Sequence, residues 1–279
     1  MTNSSLLDPA RDIYHRLQWL ADYQPALLLP VSELPMMMRL IRRVQPRQTE
    51  HALIRVGPAN DGGYLIPDDL DGIRSCFSPG VNNQIEFDLA LARRGIRVHM
   101  ADASVSAPDG MASNMTFEPM FLGAEDHGSV MTMESWVQKV QEEGDHDLML
   151  QMDIEGCEYE VIASMSSALM SRFRIMAIEF HLLDNLWNPG FFRLVAPLFR
   201  KLATHHQCVH IHPNNCQGVV DRGGIQIPRI MEMTFLRKDR IQQDLGPSTQ
   251  FPHPLDADSS ELPTLVLPPC WWMAQEEQE

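Results

Sequence analysis

The chain has 279 residues, of which 44% are hydrophobic, and its 22 Lys and Arg stand against 37 Asp and Glu, a formal charge of −15. That charge argues against a sequence-independent grip on DNA or RNA, because such binding depends on clustered basic side chains. No apolar run approaches the roughly 20 residues of a membrane helix. Residues 1–23 contain no basic segment followed by an apolar one, so a secretory signal is not expected. The five Cys form no CxxC pair, which excludes a Cys-rich zinc motif, and a cytoplasmic location is expected.

The two ends of the chain differ in composition from its middle. Residues 1–50 are predicted to form a helical N-terminal cap, because apolar residues recur there at helical spacing. Residues 239–279 are rich in proline and acids, and residues 241–279 contain no Lys or Arg. Proline excludes long helices and central strands, which leaves a loose tail or a strap pinned to the domain. The adjacent Trp271 and Trp272 favour the strap.

Between these ends, residues 51–238 alternate between short apolar strands and amphipathic helices. The first two strands, 53–56 and 64–66, flank the turn Asp61-Gly62-Gly63 and predict a hairpin. The other predicted strands are 73–78, 97–101, 116–122, 148–154, 175–182, 208–212 and 230–237. The predicted helices are 82–94, capped by Asn82 or Asn83, then 131–141, 157–170 and 191–203. Repeated β–α units of this length predict an α/β domain with a doubly wound, mostly parallel sheet and helices on both faces.

The first candidate site is the loop from Ser78 to Asn83, which follows a core strand. Ligands of such sheets bind at the carboxyl ends of the strands. Gly80 lets the backbone approach a ligand closely, and the start of the next helix offers free N–H groups to an anion. Asp102 follows the next strand, 22 positions after Gly80, near the roughly 20-residue interval at which an acid meets ribose hydroxyls. With one glycine instead of three, the pattern fits either an adenosine-type ligand or a capping turn beside a strand-end acid.

Acids and histidines follow the later strands. Asp153 ends an apolar strand, and Glu179 and His181 share one face of the next because they are two residues apart. His212 lies at the end of the strand after that. Carboxylates and imidazoles that converge at one rim can bind a divalent ion or share protons. We predict that Asp153 and His181 are catalytic and that Asp153, Glu179 and His212 ligate a cation; a hydrogen-bonded strand-end residue is the alternative for each His.

Several short motifs of residues 51–238 form a set: Asp61-Gly62-Gly63-Tyr64, Phe77-Ser78-Pro79-Gly80-Val81, Glu86-Phe87, Ala101-Asp102, Met152-Asp153-Ile154-Glu155-Gly156-Cys157-Glu158 and Ile178-Glu179-Phe180-His181. This set resembles the FkbM-type S-adenosylmethionine-dependent methyltransferases. The resemblance implies a Rossmann-like class I methyltransferase fold with a seven-stranded sheet, and S-adenosylmethionine as the cofactor. It further implies that Gly80 lies near the methionine part and Asp102 on the ribose, with the full set of cofactor contacts being Ser78, Gly80, Asn82, Glu86 and Asp102.

The expected chemistry follows from the methyl donor. A sulfonium already activates its methyl group, so the enzyme has to align the acceptor and help it lose a proton. A carboxylate, an imidazole or a divalent cation beside the acceptor oxygen provides that help. The strand motif is not the Asn/Asp-Pro-Pro-Tyr type that resembles amino-group methylation of nucleic acids. With the charge of −15, this favours a hydroxyl of a small molecule, sugar or glycan as the acceptor, with no nucleic acid partner.

Two other classes of protein remain as alternatives. The first is a binding module that has lost catalysis, because Ser78, Pro79 and Asn82 stand where the family usually has glycines. The second is a nicotinamide-dependent oxidoreductase on the related dinucleotide-binding fold. The missing three-glycine fingerprint counts against the oxidoreductase, since a pyrophosphate requires that close backbone approach.

Overall fold

The computed structural model describes residues 31–273, so the part of the predicted N-terminal cap before residue 31 lies outside it. The helices are α1 (Leu34–Arg43), α2 (Glu86–Ala92), α3 (Met133–Val140), α4 (Glu158–Ser164), α5 (Ser167–Met170) and α6 (Pro189–His205). The strands are β1 (Arg47–Thr49), β2 (Leu53–Val56), β3 (Tyr64–Pro67), β4 (Ser75–Pro79), β5 (Arg97–Ala101), β6 (Met115–Glu118), β7 (Phe121–Leu122), β8 (Val130–Met131), β9 (Leu148–Met152), β10 (Phe173–Phe180), β11 (His206–Pro213), β12 (Val219–Arg222), β13 (Ile225–Pro228), β14 (Met231–Arg237) and β15 (Asp244–Pro247).

Seven strands form the central sheet, in the order β6-β5-β4-β9-β10-β14-β11. Neighbouring strands are parallel, except that β14 runs antiparallel to both β10 and β11. The order of the parallel strands reverses between β4 and β9, and open α/β sheets bind their ligands at such a switch point. This strand order defines the Rossmann-like class I methyltransferase fold and confirms the predicted fold class.

Both faces of the sheet are covered. Helices α1, α3, α4, α5 and α6 pack on one face, and α2 packs on the other face together with the β2–β3 hairpin. Strand residues alternate between the two cores: Leu150 and Met152 belong to the first and Met149 to the second, as the period of two requires. Among residues 31–273, no helix is long and apolar enough to span a bilayer.

Several predicted elements have different bounds in the structure. Helix α2 begins at Glu86 rather than at Asn82, because Asn82 has a φ of +45° that no helix entry adopts; Ile85 takes the N-cap position instead. The predicted strand 116–122 divides into β6 and β7, since Pro119 lacks the N–H that a continuous strand needs. The predicted helix 157–170 divides into α4 and α5, where the Ser166 side chain caps α5.

The C-terminal segment packs against the domain as far as Met273. Strand β15 pairs with β1, which adds a short two-stranded sheet that the sequence did not predict. Trp271 is 1% exposed and belongs to the first core, and its Nε1 donates to the carbonyl of Gln226 at 2.9 Å. Gln45 donates to the carbonyl of Cys270 at 3.4 Å. These contacts make the segment part of the packed structure.

We predict that Trp271→Ala lowers the free energy of unfolding by about 3–5 kcal/mol, because it leaves a large cavity in the core. Trp272→Ala is the matched control, since Trp272 is only partly buried against the same core, and it is expected to cost less. Urea unfolding of both variants measures the difference. Equal and small losses would contradict the packing of Trp271.

An ion-pair network anchors the sheet at the end opposite to the candidate site. Arg174 is 4% exposed and donates to the carbonyls of Asp69 and Asp71 at 3.0 and 2.7 Å. Its Nε donates to one carboxylate oxygen of Asp147 at 3.0 Å, and Arg237 donates to the other at 2.7 Å. Partial burial raises the pKa of Asp147, but the two guanidinium groups outweigh it and hold that pKa below its usual value.

The lowered pKa of Asp147 predicts a pH dependence of stability. A carboxyl group with a lowered folded-state pKa stabilises the fold above its unfolded pKa of about 3.9, and this contribution disappears as the pH falls through the folded-state value. Asp147→Asn is therefore expected to be less stable than the unmodified protein at pH 7, with the difference narrowing below about pH 4. Urea unfolding at pH 7, 5 and 3.5 measures this; a difference independent of pH would contradict the prediction.

Candidate active site at the strand ends

The loop after β4 lies at the switch point and approaches the end of β9 closely. Gly80 has a φ of +85°, and a Cβ added to it would lie 1.5 Å from the carbonyl oxygen of Asp153. Only glycine permits this approach. Just before it, the Ser78 hydroxyl donates to Gln151 at 2.7 Å, and Gln151 donates to the Tyr64 hydroxyl at 3.1 Å. The loop is thus tied to both β9 and the β2–β3 hairpin.

Asp102 lies at the end of β5 and orders this loop from the other side. One of its oxygens accepts the backbone N–H of Asn82 at 3.1 Å. The other accepts the backbone N–H and the hydroxyl of Ser104, at 2.8 and 2.6 Å. A carboxylate has about four acceptor positions, so Asp102 keeps capacity for one further hydroxyl. Glu86 lies in the first turn of α2 and is exposed.

Three potential metal ligands meet beyond β9 and at the end of β10. Ligand atoms of Asp153, Glu179 and His181 all lie within 4.8 Å of one another. Nε2 of His181 is 3.8 Å from Oδ1 of Asp153 and 3.5 Å from Oε1 of Glu179, which is too far for direct hydrogen bonds. Within residues 31–273, the buried Oδ1 of Asp153 has no hydrogen-bond partner. The imidazole therefore faces two carboxylates across a gap.

Glu158 holds the imidazole of His181 in place. Its side chain is fully buried at the start of α4, and its Oε1 accepts the backbone N–H groups of Ile154 and Gly156, both at 3.1 Å. The same oxygen lies 3.0 Å from Nδ1 of His181. Since an ionised carboxylate only accepts hydrogen bonds, this contact puts the proton of the neutral imidazole on Nδ1. In the neutral form of the ring, Nε2 presents its lone pair to the gap.

The two carboxyl groups of Asp153 and Glu179 lie close together beside His181, and a positive charge between them would be stabilised. Burial raises the pKa of Asp153 to about 7, against the lowering effect of His181. Burial and the charge of Asp153 likewise raise the pKa of Glu179. Burial lowers the pKa of His181, but Glu158 and the other two carboxylates outweigh it and raise that pKa well above its usual value. A proton or another cation in the gap relieves this repulsion.

His212 does not join this group, contrary to the predicted ligand set. Strand β14 lies between β10 and β11, so Glu232 pairs with Glu179 on one side and with His212 on the other. His212 is thereby one strand farther from Asp153 than the sequence order suggested. The residue that the structure brings to Asp153 and Glu179 is His181.

The C-terminal segment supplies the partner of two of the three histidines on β11. Asp256 lies 2.8 Å from Nε2 of His210 and 3.4 Å from Nδ1 of His212. These contacts hold the pKa of Asp256 far below its usual value, although burial opposes them. The sequence did not predict this pairing, because Asp256 lies in a segment without strand or helix periodicity.

Sequence reasoning assigned no role to Glu158 or Glu232. Glu232 is 7% exposed, and burial raises its pKa to about 7 while His212 lowers it. The sequence does contain a signal for it, because Glu232 is the single acid of strand β14, and the residues between it and the terminal Arg237 carry no charge. An acid that interrupts a buried strand near the ligand-binding rim indicates a site on the same grounds as Asp153.

No family model and no curated protein matches the chain. Among solved structures, it is similar to a mutant of the 16S rRNA (adenine(1408)-N(1))-methyltransferase from Catenulisporales acidiphilia, at 13% identity and a TM-score of 0.29, over 67% of this chain and 97% of that chain. It is also similar to an antibiotic-related methyltransferase, at 10% identity and a TM-score of 0.26, over 58% of this chain and 86% of that chain. These scores are low, so the fold class rests on the strand order.

Proposed function

We propose that the protein is an S-adenosylmethionine-dependent methyltransferase that methylates a hydroxyl of a small molecule, a sugar or a glycan. One observation carries the proposal: polar or close-approach residues follow four parallel strands that flank the switch point. Gly80 follows β4, Asp102 follows β5, Asp153 follows β9 and His181 follows β10. Packing alone does not call for this concentration of polar groups at one rim.

The residues of the loop and of β5 fit an adenosyl cofactor. Gly80 lets the loop after β4 pack directly against the end of β9 at the switch point, and the spare acceptor position of Asp102 suits a ribose hydroxyl. Ser78 and Asn82 shape the loop between them, and Glu86 lies beside it at the start of α2. We assign the cofactor contacts to these five residues.

S-adenosylmethionine, when bound, supplies a methyl group that its sulfonium has already activated. The residues of the chain then have to hold the acceptor in line and take up its proton. Asp153 or His181 would take up the proton that the acceptor hydroxyl loses on methylation. A divalent cation at the same place would lower the pKa of the hydroxyl.

The charge of the site supports the choice of acceptor. The carboxylates of Asp153, Glu155 and Glu179 lie within 4 Å of Nε2 of His181. Glu232 lies opposite Glu179 on the neighbouring strand. A phosphate-rich acceptor would be repelled there, whereas an uncharged hydroxyl would not. The acidic rim therefore supports a small-molecule or glycan hydroxyl rather than nucleic acid.

Calorimetry with S-adenosylmethionine and S-adenosylhomocysteine tests the proposal. Binding of both is expected, and Asp102→Asn should weaken it, while Asp109→Asn removes an equal charge from the exposed loop that follows β5 and serves as the control. Absence of binding of both compounds, with and without added divalent cations, would overturn the proposal that the protein is a methyltransferase. Protection from thermal unfolding by NAD but not by S-adenosylhomocysteine would favour the oxidoreductase instead.

A further inference from the structure

We infer that Asp153, Glu179 and His181 are the protein ligands of a divalent cation, and that Glu158 is the residue that positions His181 for it. The inference deepens the proposed function, on which it rests for the role of the cation in methyl transfer. Binding of the cation itself depends on these side chains and does not require a methyl donor.

The distances in the gap suit a cation. Ligand atoms that lie about 2.0–2.2 Å from a common metal ion are about 3–3.6 Å apart from one another. Nε2 of His181 is 3.5 Å from Glu179 and 3.8 Å from Asp153, so the preformed site is slightly wider than a filled one. A small inward movement of the Asp153 side chain, which is 27% exposed, would close it.

The surrounding contacts orient these ligands as contacts around protein metal sites do. A ligating His almost always donates its other N–H to a carboxylate or carbonyl, which fixes the ring and its tautomer. Glu158 makes this contact with His181 at 3.0 Å. Asn214 donates to Oε1 of Glu179 at 3.2 Å and orients that carboxylate.

Two observations argue against a protonated imidazole as the resident cation. An imidazolium would draw at least one carboxylate oxygen to about 2.7–2.9 Å from its Nε2. In the described part of the chain the nearest carboxylate oxygens to Nε2 are 3.5, 3.6 and 3.8 Å away. In addition, Oδ1 of Asp153 is buried without a donor, which is costly for a polar atom unless something else satisfies it.

The donor set indicates the class of cation. Two carboxylates and one imidazole suit Mg²⁺ or Mn²⁺ better than the soft ions that thiolates select. Three protein ligands also leave open positions, as in catalytic metal sites. An acceptor hydroxyl in such a position would lose its proton more readily, and this is the help that methyl transfer to an alcohol requires.

Titration of the chelator-treated full chain with Mn²⁺ alone, followed by electron paramagnetic resonance, tests the inference. One Mn²⁺ per chain is expected to bind without any methyl donor. Asp153→Asn and His181→Ala should each weaken binding by about tenfold or more, and Glu158→Gln by about 10- to 100-fold. His212→Asn is the matched control, because His212 is as buried as His181 and also lies beside a carboxylate; it should retain Mn²⁺ affinity.

Absence of Mn²⁺ binding, or loss of binding in His212→Asn but not in His181→Ala, would overturn the inference. Thermal unfolding and S-adenosylhomocysteine binding of each variant show whether it is folded. A protein that binds S-adenosylhomocysteine but no Mn²⁺ refutes the metal site and leaves the proposed function in place. A protein that binds Mn²⁺ but neither methyl donor nor product supports the metal site and refutes the proposed function.

Discussion

Asp153→Asn is expected to lower the rate of methyl transfer by about 10²- to 10⁴-fold, the range that loss of proton-transfer assistance typically costs. The amide cannot accept a proton from the acceptor and is a poorer cation ligand than a carboxylate. Binding of S-adenosylhomocysteine should survive, because the contacts of Asp153 with the loop after β4 use its backbone. Its N–H donates to the carbonyl of Pro79 at 3.3 Å, and its carbonyl oxygen is the atom beside Gly80.

Single-turnover kinetics together with calorimetry measure both parts of this prediction. Glu155→Gln is the control. It removes the same charge from a residue two positions after Asp153, and the side chain of Glu155 is 76% exposed. Its rate is expected to fall by less than about tenfold, as suits an exposed acid without a hydrogen bond to the reacting group. Full activity of the Asp153→Asn variant would show that Asp153 is not catalytic.

Gly80→Ala is expected to lower the free energy of unfolding by about 3 kcal/mol or more and to abolish cofactor binding. The left-handed conformation alone costs a residue with a side chain about 1–2 kcal/mol. The remainder comes from the contact of the new methyl group, which would lie 1.5 Å from the carbonyl oxygen of Asp153 and 2.6 Å from its carbonyl carbon. The ends of β4 and β9 would have to separate, and losses of this size mark such backbone conflicts.

Comparison with Gly95→Ala separates the steric part of the Gly80→Ala effect from the conformational part. Gly95 has a φ of +84°, nearly the same as Gly80, but no atom of the described residues lies within 4 Å of its added Cβ. It should therefore cost only the conformational part, about 1–2 kcal/mol. Urea unfolding compares the two variants. If both lose the same stability, the close approach of Gly80 to Asp153 does not carry the effect.

Local patterning predicted most of the fold. The hairpin around Asp61-Gly62-Gly63 and strands β2 and β5 follow from alternation and turn residues, and the structure has them at the predicted positions. The errors arise where a single residue interrupts a pattern: Pro119 ends β6, and Ser166 separates α4 from α5. Both signals are local, and the apolar periodicity on either side obscured them.

The site was predicted less completely than the fold. Asp153 and His181 were predicted because they follow apolar strands, and the end of a strand in a parallel sheet is a fixed place at the rim. Glu179, the penultimate residue of β10, was predicted because it shares a face with His181. Glu158 was assigned no role because an acid in the first turn of a helix already has a structural explanation. Its contact with His181 depends on how α4 packs beside β10, a distance in space rather than in sequence.

The amino-acid sequence by itself determined the class of fold, the residues at the strand ends and the net charge of −15, since these follow from period, spacing and composition. Only the tertiary structure decided which strand ends are neighbours. The last strand of the sheet, β14, inserts antiparallel between β10 and β11, because strand pairing is selected by packing across the whole sheet and leaves no mark in local periodicity. That insertion separates His212 from Asp153 and leaves His181 as the imidazole of the site.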